Sequence, residues 1–161
     1  MDVHRIIVVA TLAATLTFMP ARASDTTAPS DSAMTFVGQF SDDHLSGMLS
    51  RLGGRSKVFI GLAQAHGEIV GRVLDLAVED AVRKYGPQWQ QNMAQAWMPL
   101  LTDEEFDSLR NAGAQSPHTE KYLELRTTAG QSMQASSQEL FQTIMAEVME
   151  QTRTALKGKT E

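Results

Sequence analysis

Three histidines stand beyond the N-terminal leader, His44, His66 and His118, and they are the first candidates for metal or acid–base chemistry. A metal pair on one helix needs its second ligand three or four residues further on. Those positions hold Gly47 and Met48 after His44, Ile69 and Val70 after His66, and Lys121 and Tyr122 after His118. None forms a zinc pair. His66 and Glu68 are two apart, so on a helix they point in different directions. An enzyme site would have to be assembled between helices, with His66, Glu68 or His118 meeting an acid from a distant one, for instance to act on cell-wall material.

Asp75 and Glu79 share a helix face, but Arg72 and Arg83 extend the row to Arg-Asp-Glu-Arg, and Asp80 with Lys84 repeats the theme. That pattern reads as a solvated ion ladder rather than an acid/base pair. Met34, Met48, Met93, Met98, Met133, Met145 and Met149 could offer thioethers to copper(I). Met145 and Met149 fall inside an apolar stripe, however, where methionine fills gaps in a core. There is no cysteine, which excludes disulfides, a lipidated-cysteine anchor, thiol catalysis and thiolate metal sites. Neither a nucleophile elbow nor a phosphate-binding loop can be picked out. The residues therefore predict no catalytic, cofactor-binding or metal-ligating set.

What the sequence does mark clearly is helix starts. Thr102 can cap a helix, Glu105 three residues on can reach back to it, and Leu101 with Phe106 has the spacing of a hydrophobic staple. Asp103, Glu104 and Glu105 place negative charge at the positive end of the helix dipole. A second start is Ser116-Pro117, serine as the cap and proline at the first helical position. Leu101-Thr102-x-x-Glu105-Phe106 followed by Ser116-Pro117-x-x-x-Lys121 resembles a bacterial periplasmic all-helical family, domain of unknown function 2059. Its members tend to read Phe-Thr-x-x-Glu-Leu, then an aromatic pair, then Ser-Pro-x-Gly-x-Lys. Here Thr119 stands in place of the glycine and the aromatic pair is missing. The resemblance implies a secreted helical bundle and carries over no catalytic residue.

The chain opens as a secretory signal. Arg5 gives a short basic region, Ile6 to Met19 an apolar run, and Ala21-Arg22-Ala23 a small-x-small cleavage site. The run falls short of the roughly 20 residues of a membrane-spanning helix. Residues 1–23 are read as the signal peptide and 24–40 as a flexible leader rich in Ser, Thr, Asp and Pro. Within the leader, Met34, Phe36, Val37 and Phe40 offer a short arm that could lie against the bundle. Cleavage at that site changes the formal charge from −5 to −6. A mildly acidic chain argues against nucleic acid and supplies no polybasic patch for anionic lipid.

Residues 41–156 form the expected helical domain, with 157–161 a fraying tail. Ser41 starts a helix that Gly53-Gly54 stops. A long helix is predicted over 56–85, ended by Gly86-Pro87, with Ala63, Gly67 and Gly71 spaced to let another helix approach closely. Further helices are predicted over 88–98, from Thr102 to near Gly113, and from Pro117 to about 156, the last with its continuity through Gly130 and the polar stretch Gln131 to Gln138 left open. The predicted fold is all-α, a single-domain bundle of about five mainly antiparallel amphipathic helices. The predicted function is non-enzymatic: a periplasmic or secreted protein with a binding or structural role in the cell envelope. Its expected partner is a protein, with no membrane span after signal cleavage; a narrower version is an inhibitor or immunity protein for an envelope-acting toxin. Trp89, Trp97 and Phe106 are the aromatics singled out to anchor that partner. The alternatives are the inter-helix enzyme and a methionine-based copper(I) binder.

Overall fold

The computed structural model describes residues 28–157. The signal segment and its cleavage site fall outside that range, as do residues 24–27 of the expected leader and 158–161 of the tail. The described chain is an all-α bundle of six helices. These are α1 (Asp31–Gly38), α2 (Ser41–Gly54), α3 (Lys57–His66), α4 (Ile69–Trp97), α5 (Asp103–Ala112) and α6 (Thr119–Lys157), with a single 3-10 turn at Gly113–Gln115 between the last two.

The axis of the bundle is α4. Helices α6 and α2 pack most extensively on it, and α1 and α3 also lie against it. Its inner face, Leu74, Ala77, Val78, Ala81, Trp89, Met93 and Trp97, is almost wholly withdrawn from solvent. Facing residues include Leu45 and Leu49 of α2 and Ile144 and Val148 of α6, all four at 0% exposure. An apolar stripe of this depth supplies most of a helix's stability, because short isolated helices are marginal in water.

Three sequence expectations are corrected by this packing. First, residues 31–40 are not a flexible leader. Ser30 accepts a hydrogen bond from the Ala33 amide (3.2 Å) and starts α1, whose Ala33, Phe36 and Val37 are buried between α4 and α5. The short apolar arm of Met34, Phe36, Val37 and Phe40 does lie against the bundle, as a helix rather than as part of a flexible leader. Second, Gly86-Pro87 does not end a helix. The chain stays helical from Ile69 through Trp97 with Pro87 inside it. An interior proline costs roughly 3 kcal/mol through its missing N–H and its clash with the preceding turn. Burial of Trp89, Met93 and Trp97 just beyond offsets that. Gly86 has a separate reason to be small, since a Cβ there would come within 2.9 Å of the Asp42 carboxylate.

Third, the break that was expected at Pro87 falls at Gly67. That residue adopts φ 68°, a region L side chains avoid, and separates α3 from α4. The Ala63, Gly67, Gly71 spacing is therefore no helix-packing seam: a Cβ on Gly67 or Gly71 would meet nothing within 4 Å. The point left open at Gly130 is answered too: α6 runs unbroken for 39 residues through it.

The first helix start is as expected. Thr102 Oγ1 accepts from the Glu105 amide (3.3 Å) and Glu105 Oε2 accepts from the Thr102 amide (2.9 Å), a capping box. Lys121 of α6 donates to the same carboxylate at 2.7 Å, tying α5 to α6. The second start is shifted. Ser116 accepts from the His118 amide (3.2 Å), but regular helix begins at Thr119, whose hydroxyl donates to the Ser116 carbonyl (2.9 Å).

The Lys121 ammonium, and secondarily the Thr102 amide, hold the Glu105 carboxyl below the usual glutamate range. The unfolded chain then takes up this proton first, so the stability from Glu105 is present above the ordinary glutamate pKa of about 4.3. It is lost as pH falls toward the lower folded value. Thermal melts across this acid range should show wild type losing more stability than Glu105→Gln. Equal losses in the two proteins would mean the box and its lysine add nothing.

Candidate functional site

Helices α2 and α6 both rest on α4 but touch each other little, and the space between them is a groove. Its larger part has a volume of about 490 Å³ and lies between His44, Met48 and Leu52 on α2 and Met133, Gln134 and Phe141 on α6. Trp89 of α4 forms the floor there. A second part, about 360 Å³, shares His44, Gly130 and Met133 with the first and continues over Met93 and Trp97 to Tyr122 and Arg126. A third, about 330 Å³, shares Phe40 and Tyr122 with the second and reaches Leu109 and Leu123.

The register of the helices explains these walls. Phe40, His44, Met48 and Leu52 recur every four residues along one edge of α2, the spacing that keeps side chains on one face. On α6, Gln134, Gln138 and Gln142 recur with the same period and give the opposite edge an uncharged amide rim. Gly130 sits at the junction, and a Cβ there would meet nothing within 4 Å. Met133 accepts a hydrogen bond from Ser137 (3.3 Å), which in turn accepts from Asn92 of α4 (3.0 Å). This buried chain of contacts fixes α6 against α4 beneath the groove.

Trp89 carries the one anomaly. Its indole N–H is the sole buried side-chain nitrogen or oxygen without a hydrogen-bond partner among the described residues. Such a donor costs about 1–3 kcal/mol of desolvation. The ring is stacked on His44 (5.9 Å between centroids, 27°) and tilted against Phe141 (6.1 Å). Burial, and then the nearby Arg51, push the His44 pKa down, so at neutral pH the stacked imidazole is uncharged.

The three aromatics singled out from sequence part company here. Trp89 and Trp97, 2% and 5% exposed, form the groove floor beneath its walls. Trp97 also stacks on Tyr122 at 4.7 Å and 20°, and burial raises the Tyr122 pKa. Phe106 lines none of the three parts. It is 1% exposed and tilted against Phe36 of α1 at 5.5 Å, so it is a core residue and not a partner anchor. The staple spacing of Leu101 and Phe106 already hinted at that inward position. What sequence reading missed is the α2 edge: His44 was searched for metal partners, when its period with Phe40, Met48 and Leu52 was the informative signal.

The remaining chemical candidates do not gather at the groove. His118 Nδ1 lies 3.5 Å from Glu105 of α5, a histidine meeting an acid from another helix. That carboxylate is already engaged by Lys121 and the Thr102 amide, and neither Glu105 nor His118 lines the groove. His66 closes α3 and forms no ion pair among the described residues. The ion ladder is rearranged as well. Arg83 pairs with Asp80 (3.2 Å), while Lys84 reaches across to Glu147 of α6 (2.8 Å), which also accepts from the Tyr85 hydroxyl. Met145 packs on the core and Met149 faces Ser56. Neither lines the groove.

No family model matches the chain, and no curated protein or solved structure matches it. The resemblance over Leu101 to Lys121 thus rests on those residues alone.

Proposed function

We propose that this is a non-enzymatic binding protein of the bacterial cell envelope, exported by way of residues 1–23, and that the groove between α2 and α6 receives a protein partner. The observation that carries this reading is the floor of that groove. A buried tryptophan donor without an acceptor lies under flexible methionines and beside a polar amide rim. Apolar centres with polar rims are the anatomy of protein interfaces. Methionine side chains such as Met48 and Met133 repack readily, so a partner carbonyl could displace them and reach the indole N–H. An inhibitor or immunity protein for an envelope-acting toxin is the narrower form of the same reading. The helix-start resemblance to a periplasmic family supports the compartment.

Gly130→Phe supplies the test. The new ring has room to enter the groove, and replacing a mid-helix glycine removes a cost of up to about 1 kcal/mol, so the variant should melt no lower than wild type. Pull-down from periplasmic extract should give one stoichiometric partner with wild type and lose it with Gly130→Phe. Equal capture by both proteins, or capture by neither, would rule out a partner in this groove.

One observation favours a second reading, copper(I) binding. Met48 and Met133 line the same part of the groove as the neutral His44, a soft ligand set suited to that ion. In that case copper(I) would raise the melting temperature, and Met48→Leu with Met133→Leu would abolish the rise.

A further inference from the structure

From Leu45 to Gly67 this acidic chain contains no aspartate or glutamate. The stretch covers most of α2, the corner at Arg55 and Ser56, and all of α3. It carries Arg51, Arg55 and Lys57, all exposed and all without an ion pair among the described residues. The sequence average had hidden this. A net charge of −5 describes the whole chain, but its acids lie outside this stretch, the nearest being Asp43 in the first turn of α2 and Glu68 after α3.

The same corner exposes apolar surface. Leu52, Val58 and Ile60 are 46%, 50% and 48% exposed, three of the five large hydrophobics left in solvent among the described residues. Helix α3 buries no residue fully. It is held by Phe59 and Leu62, which pack on a small cluster of Val70, Val73 and Leu156 separate from the main core. Taking about 100° per residue, Val58 and Ile60 fall on the two flanks of α3, with Lys57, Gly61 and Gln64 on the crest between them. A Cβ on Gly61 would meet nothing within 4 Å. Of the acids near the corner, Glu150 on α6 is held by Arg153 at 2.6 Å, which leaves Glu68 as the one acid at the end of α3.

We propose that the α2–α3 corner docks on an anionic lipid surface, with Val58, Ile60 and Leu52 entering the headgroup boundary and Arg51, Arg55 and Lys57 facing lipid phosphates. Cations beside apolar side chains on a surface helix are the features that hold peripheral proteins to such membranes. A protein partner would instead seat its anchors in a concave pocket, and no α3 residue lines any part of the groove. The corner adjoins the α2–α6 groove at Leu52, but its α3 residues lie outside that groove and the proposal is independent of whether the groove takes a partner.

Sedimentation of the processed chain, from Ser24 onward, with phosphatidylcholine vesicles, with and without phosphatidylglycerol, tests the proposal. Wild type should bind the anionic vesicles and lose them in high salt. Arg55→Gln and Lys57→Gln should each weaken binding about fivefold, and Ile60→Asp should abolish it. Arg83→Gln, a cation on another face, should leave binding intact. Gly130→Phe should also bind normally, which separates this surface from the groove. Because Ile60 is exposed, Ile60→Asp should keep its helical circular dichroism and melting temperature. Absence of wild-type binding to anionic vesicles, or binding that survives Ile60→Asp and both glutamine variants, would overturn the proposal. So would Ile60→Asp abolishing capture of an envelope protein while vesicles remain unbound, since the corner would then belong to a protein.

Discussion

A chain beginning at Ser41 should be less stable than one that retains α1 by about 3–6 kcal/mol. Removing α1 uncovers the surfaces of α4 and α5 that now bury Phe36 (6% exposed) and Val37 (0%). Full burial of each such side chain contributes roughly 1.5–3 kcal/mol. Two specific hydrogen bonds go with it, Gln90 Nε2 to the Met34 carbonyl (2.8 Å) and Ser30 to Asp103. Against a typical total of about 5–15 kcal/mol, this is a large share. Urea unfolding followed by circular dichroism is the measurement. An unchanged midpoint in the shortened chain would mean that residues 31–40 are a dispensable leader after all.

The second large effect belongs to Phe106→Ala, expected to cost about 3–5 kcal/mol by the usual range for emptying a fully buried phenylalanine site. Phe106 is enclosed with Phe36, and Phe36 in turn meets Tyr122 edge-on at 5.7 Å, so the void would open where α1, α5 and α6 meet. Alanine cannot refill that space, and a cavity adds to the lost transfer energy. The variant also separates core from interface. Once corrected for its lower folded fraction, Phe106→Ala should capture a partner as well as wild type does. A loss of capture beyond the loss of stability would put Phe106 back among the binding residues. Thr102→Ala, which removes only one half of the capping box, should cost nearer 1 kcal/mol.

The parts of the fold that were readable from sequence are those set by local chemistry. Thr102 and Glu105 form a capping box because the box needs two side chains three residues apart and nothing from elsewhere in the chain. Buried stripes such as Leu45 with Leu49, or Ile144 with Val148, follow from the helical period alone. The misreadings arose where tertiary packing outweighed a local preference. Pro87 stops a helix in isolation, yet here the burial of Trp89 and Met93 keeps α4 going. Gly67 looked like a packing residue because its neighbours are small, whereas its φ of 68° is a property of the backbone path. The groove was half legible. Trp89 and Trp97 were chosen for their type, but their position as a floor depends on α2 and α6 standing apart, which no spacing within either helix encodes.

The place of α1 bears on how the chain can be made. Helix α1 leaves the ribosome first, yet the surfaces that shelter it belong to α4 and α5, and the main core is completed by Ile144 and Val148 near the end of α6. Closing such sequence-distant contacts sets the pace of folding. A partly synthesised chain lacks the α6 wall of its own core. Folding of the main core therefore waits on the last helix, and a chain released before Val148 is made lacks the surface that closes it.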